Sequence, residues 1–323
     1  GLYDVDMRGL VQRLQARART AGAELRGEAV VTGFDGHRLS LGTEAIEARW
    51  FVDASGLGGA RLLRQGPVAR HDLCAAAQWV HELADPHAAQ AWLERQHARE
   101  GETLCFTSVA GGYSIVSVRV EPPHAGRPAG VSLLTGSIPA TGHPGGQRLL
   151  DDFVDAHPWI GARRVGGSRA IPLGRPHDVL AAGNVALLGD AAGQVFSAHG
   201  SGIAAGLVAA RLLADALAAG GGPEAYGVQW QRRFGGTFAA YDVFRRFSQG
   251  LELDEVGAMV EAGVLDASSS IAALRQETMA ATISPKTRQP GQGVPLVATE
   301  PHIMPIIAKG RAKIECSILI ISR

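Results

Sequence analysis

The sequence predicts a mixed α/β (α+β) fold in which an antiparallel-sheet domain interrupts a Rossmann-like domain. Two observations carry this prediction. An apolar strand at Asn184–Leu188 ends in Gly189-Asp190 and leads, through a turn with glycines, into a long alanine- and leucine-rich helix at about residues 201–219. Between about residues 68 and 168, apolar and polar residues alternate in short runs, which is typical of a sheet with one exposed face.

The order of the predicted elements divides the chain into five segments. Residues 1–67 form the first part of the Rossmann-like domain, residues 68–168 the antiparallel-sheet domain, and residues 169–222 the second part of the Rossmann-like domain. Residues 223–284 form a C-terminal helical region, and residues 285–323 form a tail to which the sequence assigns no role.

The first segment begins with an amphipathic helix. Apolar residues at helical spacing predict a helix over Met7–Ala21, which Gly22 ends. Three short strand-like runs with glycine-containing turns follow: Glu28–Gly33, His37–Leu41 and Ala45–Ala48. Trp50–Val52 then predicts a buried strand that leads into the glycine-rich turn Asp53–Gly59.

The later segments are predicted from the same periodicities. The strands of the inserted domain are Leu73–His81, Thr103–Val109, Tyr113–Val120 and Val131–Ile138, and its helices are His87–Glu100 and Gly146–Ala156. Helical patterns follow at residues 223–248, Leu253–Ala262 and Ser269–Ala281, and a strand-like piece at Cys316–Ile321. In the first of these helices we expect the aromatic side chains to pack inward and the arginines to be solvated.

Composition excludes several classes of function. The chain has 31 basic and 31 acidic residues, so no net positive field predicts binding to nucleic acid. Cys74, Cys105 and Cys316 have no metal-site or disulfide spacing, and the histidines show no metal motif, so we predict no metal site. The sequence has no signal peptide and no apolar run long enough for a transmembrane segment, so we expect a cytoplasmic protein.

The residues from Gly189 to Gly202 suit a polar cofactor. A carboxylate directly after a buried strand, here Asp190, accepts hydrogen bonds from ribose or ribityl hydroxyls. The helix that opens near Ser201 presents free N–H groups, and Gly200 and Gly202 allow a flat ring to approach the backbone. The alternative is that Asp190 only caps its own turn and the glycines serve packing.

The stretch VALLGDAAGQVFSAHGSGI resembles the Gly-Asp motif of FAD-dependent oxidoreductases of the para-hydroxybenzoate-hydroxylase superfamily, above all those of the geranylgeranyl-reductase type. Further matches occur in the family's order at Asp6–Leu10 with the helix that follows, at Phe51–Gly56, and at Ile171–Leu173 with Arg175-Pro176. The resemblance covers roughly Tyr3 to Glu277. It implies an enzyme that binds FAD in its Rossmann-like domain and covers its substrate with the sheet domain.

The resemblance also implies roles for individual residues. Gly189, Asp190 and Ala191 would contact the ribityl–pyrophosphate part of FAD. Gly200, Ser201, Gly202 and Ile203 would contact the isoalloxazine ring or supply the amides of the helix end. Ser55 and Gly56 would lie near the cofactor and the cleft between the domains.

The activity that the resemblance implies is a reductase or monooxygenase reaction. Reduced nicotinamide, NAD(P)H, would pass a hydride to the flavin, which would then reduce a small organic substrate or react with oxygen. A hydrophobic substrate is compatible with peripheral membrane contact. No residue is identified as catalytic, although His199 is a candidate proton donor near the flavin.

Two departures from the family pattern leave other interpretations open. The family's first βαβ unit carries GxGxxG, but here Gly56-Leu57-Gly58 is followed by Arg61 where the third glycine should be. We therefore expect an incomplete FAD domain that lacks the N-terminal unit. Ser55 also replaces the usual aspartate of its motif. A truncated, non-catalytic remnant is the main alternative, and a flavin-dependent halogenase is disfavoured because no WxWxIP-like run occurs.

Overall fold

The structure is a computed structural model, and it describes residues 7–124 and 126–262. The helices of this part are α1 (Met7–Thr20), α2 (Pro86–Arg95), α3 (Gly146–Asp155), α4 (Ile203–Ala218), α5 (Gly222–Trp230), α6 (Gly236–Ser248) and α7 (Leu253–Glu261). The strands are β1 (Gly33–Phe34), β2 (Arg38–Leu41), β3 (Glu44–Glu47), β4 (Phe51–Asp53), β5 (Leu73–Leu83), β6 (Thr103–Thr107), β7 (Ser114–Glu121), β8 (Gly130–Ser137), β9 (Ile160–Pro172), β10 (Ala181–Ala182) and β11 (Val185–Leu187).

The first small sheet is an antiparallel meander in the order β1-β2-β3. The prediction of a strand over Glu28–Gly33 is wrong, because only Gly33 of that run lies in β1. Glu28 adopts a left-handed backbone conformation with φ of 56°, which interrupts an extended run. Val30 is 69% exposed, so this run also lacks a buried apolar face that would favour pairing with a neighbouring strand.

The second sheet contains the parallel pair that positions the site. β11 lies between β10 and β4, and Val185–Leu187 pairs in parallel register with Phe51–Asp53. The three residues of β11 are all buried, because α4 and α5 cover this strand. This core contains small and aromatic side chains of both helices: Ala205, Ala209, Leu213, Ala216, Tyr226 and Trp230. Small alanines let α4 lie close to the strands, so its first residue is held near their ends.

The third sheet is antiparallel, in the order β6-β7-β8-β5-β9. One face packs against α2 and α3 around Trp92, whose ring centroid lies 5.3 Å from that of Trp159. Asp85 caps α2 by accepting a hydrogen bond of 3.0 Å from the Ala88 N–H. This helix ends at Arg95 rather than at the predicted Glu100, because His97 has a positive φ of 54°.

The strand β9 is not among the predicted elements. It pairs with β5 over almost its whole length, and most of its residues between positions 162 and 170 are exposed. This run contains arginines and two glycines instead of alternating apolar residues. A strand at the open edge of a sheet needs no apolar face, so the period-2 signal is missing.

The helical region from Gly222 to Ser248 is continuous, but its hydrogen-bonding pattern changes in the middle. Between α5 and α6, Gln231–Gly235 forms a π-helical segment, so the predicted single helix is confirmed with an irregular centre. The aromatic residues Trp230, Phe238 and Tyr241 pack inward as expected, but Phe247 is 55% exposed, so the expectation is wrong for that residue. The expectation of solvated arginines is wrong for Arg245, which is 1% exposed.

The predicted helix Ser269–Ala281, the strand-like piece Cys316–Ile321 and the rest of the tail lie outside the described residues. Within the part that the structure describes, no helix is long and apolar enough to cross a membrane.

Candidate functional site

Two turns leave the same edge of the parallel pair. Because Leu187 lies opposite Asp53, the chain segments that follow β11 and β4 begin side by side. The Leu188 N–H donates a hydrogen bond of 2.9 Å to the Asp53 carbonyl oxygen, which extends the pairing by one residue. The structure therefore brings Ser55 and Gly56 to the same sheet edge as Gly189 and Asp190, at the carboxyl ends of parallel strands, where open α/β sheets bind ligands.

The turn after β4 is held by Asp53. Its carboxylate is buried and accepts hydrogen bonds from the Ser55 N–H at 3.1 Å, the Leu62 N–H at 3.0 Å and the Ser55 hydroxyl. The Ser55 oxygen in turn accepts from the Ala60 N–H at 2.8 Å. A Cβ at position 59 would lie 1.7 Å from that oxygen, so only glycine fits there. Ser55 is therefore engaged within its own turn.

The turn after β11 is held by a buried glutamine. Gly189–Ala192 forms a single 3₁₀ turn, in which Gly189 has a left-handed φ of 63° that favours glycine. The Gln194 side-chain oxygen accepts a hydrogen bond of 2.9 Å from the Gly189 N–H. The Gln194 amide nitrogen donates to the Tyr226 hydroxyl at 2.7 Å, and that hydroxyl donates to the Leu187 carbonyl oxygen at 2.9 Å. This chain of bonds fixes the direction in which the turn leaves the sheet.

Asp190 sits in this turn, and its carboxylate forms no hydrogen bond with the described residues. Burial raises its pKa, and the positive charge of Arg169 opposes that shift. One carboxylate oxygen lies 3.4 Å from the position that a Cβ on Gly202 would take, so the carboxylate faces the start of α4.

The first turn of α4 has no side-chain cap. Gly202 is the N-cap residue, and the first helical bond runs from the Gly206 N–H to the Gly202 carbonyl oxygen at 2.8 Å. The N–H groups of Ile203, Ala204 and Ala205 therefore have no acceptor within the helix. They form a cluster of donors at the positive end of a 16-residue helix.

A tight turn, Phe196–Ser201, lies between the Gly189–Ala192 turn and the start of α4. The Phe196 N–H donates to the Ser201 carbonyl oxygen at 2.9 Å, and the Gly200 N–H donates to the Phe196 carbonyl oxygen at 2.8 Å. A Cβ on Gly200 would touch Ile171 and Leu173, at the end of the antiparallel sheet. Burial lowers the pKa of His199 to about 4, and neither ring nitrogen of this residue has a hydrogen-bond partner in the described part of the chain.

The nine predicted contact residues thus lie in three turns and at one helix start: Ser55, Gly56, Gly189, Asp190, Ala191, Gly200, Ser201, Gly202 and Ile203. A cavity of about 800 Å³ is lined by residues of β5, β9 and the start of α3, among them Arg169, whose charge acts on Asp190, and by none of these nine residues. Among the described residues, no group of histidine, cysteine or carboxylate side chains could hold a metal ion.

The sequence reasoning missed three residues that shape the site. Gln194 and Tyr226 hold the turn after β11, and Asp53 holds the turn after β4. Asp53 had a recognisable signal, because an aspartate two residues before a serine often hydrogen-bonds the following backbone. Gln194 and Tyr226 are 32 residues apart, and Tyr226 lies on α5. No sequence pattern indicates that these two side chains form a hydrogen bond.

The fold resembles those of known flavoproteins. No family model and no curated protein matches the sequence. A solved structure of a geranylgeranyl bacteriochlorophyll reductase-like protein from Thermoplasma acidophilum superposes with a TM-score of 0.60 at 17% identity, over 82% of this chain and 70% of that one. A point mutant of the halogenase PltM, solved in complex with FAD, superposes with a TM-score of 0.50 at 17% identity, over 70% of this chain and 49% of that one.

These likenesses confirm the predicted fold class, a mixed α/β architecture with a Rossmann-like part and an antiparallel sheet. The chain therefore has the fold of the FAD-dependent oxidoreductases that its Gly-Asp stretch resembles, with the geranylgeranyl-reductase-like protein among its structural neighbours.

Proposed function

We propose that this chain binds FAD at the edge formed by the turns after β4 and β11, and that it is an FAD-dependent oxidoreductase. The observation that carries the proposal is the set of unmet hydrogen-bonding groups around Gly202. The Asp190 carboxylate, the uncapped start of α4 and the ring of His199 all lack hydrogen-bond partners among the described residues. The Asp190 carboxylate can accept hydrogen bonds from hydroxyl groups, and the backbone N–H groups at the start of α4 can donate to a heteroaromatic ring. Together with the neutral ring of His199, these groups suit a cofactor that has both hydroxyls and a heteroaromatic ring.

The roles follow from the chemistry of each group. Asp190 would accept hydrogen bonds from the ribityl hydroxyls, with Gly189 and Ala191 beside it, as acidic residues of dinucleotide folds do. The amides from Ile203 onward, with Gly200, Ser201 and Gly202, would face the ring edge and favour negative charge there. Ser55 and Gly56 would line the opposite side. The sequence contains no GxGxxG run for the pyrophosphate, so in this proposal Gly189, Asp190 and Ala191 supply the contacts to the ribityl–pyrophosphate part of FAD.

Bound FAD would take a hydride from NAD(P)H and deliver electrons to a small organic substrate, as a reductase does, or to oxygen, as a monooxygenase does. The substrate class is proposed to be small and hydrophobic, and the protein to act in the cytoplasm. The chain's own part is to orient the ring and to stabilise charge at its edge.

The visible absorption spectrum of the purified chain tests the proposal. We expect a yellow protein, or a colourless one that binds added FAD at one equivalent and quenches its fluorescence. Reduced nicotinamide should then bleach the flavin band, and oxygen uptake with or without substrate separates the monooxygenase from the reductase. A chain that binds no FAD when titrated would contradict the proposal and favour the non-catalytic remnant.

A further inference from the structure

The cavity on the antiparallel sheet is not used by the proposed function. It has a volume of about 800 Å³ and lies against β5, β9 and the start of α3. Its wall includes Ala75 and Ala170, which pair with each other across β5 and β9. Ligand cavities in proteins have volumes of about 300–1,000 Å³ and are lined mostly by apolar residues with a few polar groups. This cavity has the size of such a site.

Small residues keep the cavity open. Where α2 and α3 cover the sheet, large side chains such as Trp92 and Trp159 fill the space and form a buried core. Beside the start of α3, the paired residues are Ala75 and Ala170, and Ala170 is exposed. A Cβ on Gly146 would clash with the Ala75 carbonyl oxygen, so this glycine allows α3 to begin directly against β5. The small side chains therefore leave an apolar surface that the fold does not fill, which is typical of a binding site.

The charged residues that line the cavity are basic. They are Arg70, Arg148 and Arg169, and no aspartate or glutamate of the described chain lines it. Gly145 provides no side-chain cap for α3, so the first N–H groups of that helix add to the positive potential. Arg148 pairs with Asp152 at 2.8 Å, but both side chains are exposed, so water weakens this pair and an anion can compete for Arg148. Positive charge beside an apolar surface favours an anion that has an apolar body.

We propose that this cavity binds an organic carboxylate with an apolar body. The carboxylate accepts hydrogen bonds from the guanidinium groups of Arg148 and Arg70, which are strong because both partners are charged. The apolar body covers Ala75 and Ala170 and removes their surface from water. The inference goes beyond the proposed function, because this binding requires no FAD.

Calorimetric titration of the full chain with 2-naphthoate tests the inference. The neutral 2-naphthamide has nearly the same shape without the charge, and acetate has the charge without the apolar body. We expect one equivalent of 2-naphthoate to bind, with a dissociation constant at least about ten-fold lower than that of either control compound. Added salt should weaken the binding of 2-naphthoate more than that of 2-naphthamide, because salt screens the charges of the arginines.

Two variants with a matched environment locate the bound anion. Arg148 and Arg211 are both exposed, and each pairs with an aspartate four residues later on its helix, but only Arg148 lines the cavity. We expect Arg148→Gln to raise the dissociation constant of 2-naphthoate about five- to ten-fold and Arg211→Gln to leave it unchanged. Ala170→Leu adds volume on the exposed strand β9 and should weaken the binding of both naphthyl compounds, with unchanged thermal unfolding.

The outcomes distinguish this inference from the proposed function. The inference is overturned if 2-naphthoate does not bind, if 2-naphthamide binds equally well, or if Arg148→Gln and Arg211→Gln have the same effect. Displacement of 2-naphthoate by FAD would place the probe in the cofactor site and would also overturn it. If 2-naphthoate binds as expected and FAD does not bind, this inference stands and the proposed function falls.

Discussion

At the scale of single residues, one buried side chain does most to define the site. Gln194 is the only described residue that hydrogen-bonds both the Gly189 N–H and the Tyr226 hydroxyl, and it is completely buried. Its own N–H also donates to the Gly189 carbonyl oxygen at 2.9 Å. The direction of the Gly189–Ala192 turn therefore depends on the side-chain amide of Gln194, a residue that is not among the proposed FAD contacts.

Replacing this amide should destabilise the chain. Gln194→Leu keeps the volume but leaves the Gly189 N–H unpaired, so we expect the free energy of unfolding to fall by about 2–4 kcal/mol. Urea denaturation monitored by circular dichroism measures the free energy of unfolding of the variant and of the unaltered chain. The control is Gln90→Leu, because Gln90 is exposed on α2 and bonds only Glu94. Similar losses in both variants would show that the amide does not hold the turn.

His199 predicts how stability depends on pH. Its pKa is lowered from 6.5 to about 4, so the unfolded chain takes up a proton at a higher pH than the folded chain does. Its neutral state therefore favours the fold above pH 6.5, and this contribution, up to about 3 kcal/mol, is lost as pH falls toward 4. His157 and His177, whose pKa values are also lowered, act in the same direction.

The difference between the unaltered chain and His199→Phe isolates this contribution. In urea titrations from about pH 7 to about pH 4, the stability of the unaltered chain should fall more steeply than that of the variant. Parallel curves would mean that the imidazole is not buried in a neutral state.

At the scale of elements, a network of four charged side chains, centred on the buried Arg245, connects α6 to the antiparallel sheet. Arg245 donates to Asp72 at 2.7 Å and to Asp242 at 2.6 Å, and Arg246 donates to the same two carboxylates at 3.0 Å. Asp72 directly precedes β5, and its carbonyl oxygen accepts from the Leu173 N–H at 2.8 Å, just after β9. The network thus connects the helical region to the paired strands β5 and β9.

The two arginines should differ sharply when they are replaced. The Arg245 side chain is 0% exposed, so Arg245→Met leaves the buried carboxylates of Asp72 and Asp242 with Arg246 as their remaining arginine partner, and we expect a loss of about 3 kcal/mol. The Arg246 side chain is 43% exposed, so water can solvate what remains, and Arg246→Met should cost about 1 kcal/mol or less. Equal losses in urea denaturation would contradict a network centred on Arg245.

Elements differ in how well the sequence predicts them. α3 and α4 are predicted within about two residues at each end, because apolar spacing and flanking glycines mark helices locally. The sequence does not predict β9, because this strand forms through backbone hydrogen bonds to β5, which lies at the opposite end of the same domain in the sequence. The buried position of Arg245 could not be predicted either, since only the fold brings Asp72 to it from 173 residues away.

At the scale of the whole molecule, the site lies where the sheet of β4 and β11 approaches the end of the antiparallel five-stranded sheet. Val195, next to Gln194, packs in a small core with residues of the antiparallel sheet and its flanks: Cys74, Ile138, Ile171 and Leu173. The sequence predicted each of the two turns but not their shared edge, because β4 and β11 are separated by the whole antiparallel-sheet domain. The resemblance of the Gly-Asp stretch suggested the cofactor class, and the register explains why the two turns lie together.

The central claim is that Asp190 binds FAD, and one measurement tests it most directly. FAD titration of Asp190→Ala is compared with that of Asp215→Ala, an exposed aspartate near the far end of α4 that pairs with Arg211. Because no described residue hydrogen-bonds the Asp190 carboxylate and burial disfavours its charge, its removal should not destabilise the fold. We expect Asp190→Ala to raise the FAD dissociation constant at least about ten-fold with unchanged thermal unfolding, and Asp215→Ala to leave it unaltered. Equal dissociation constants for the two variants would contradict the account.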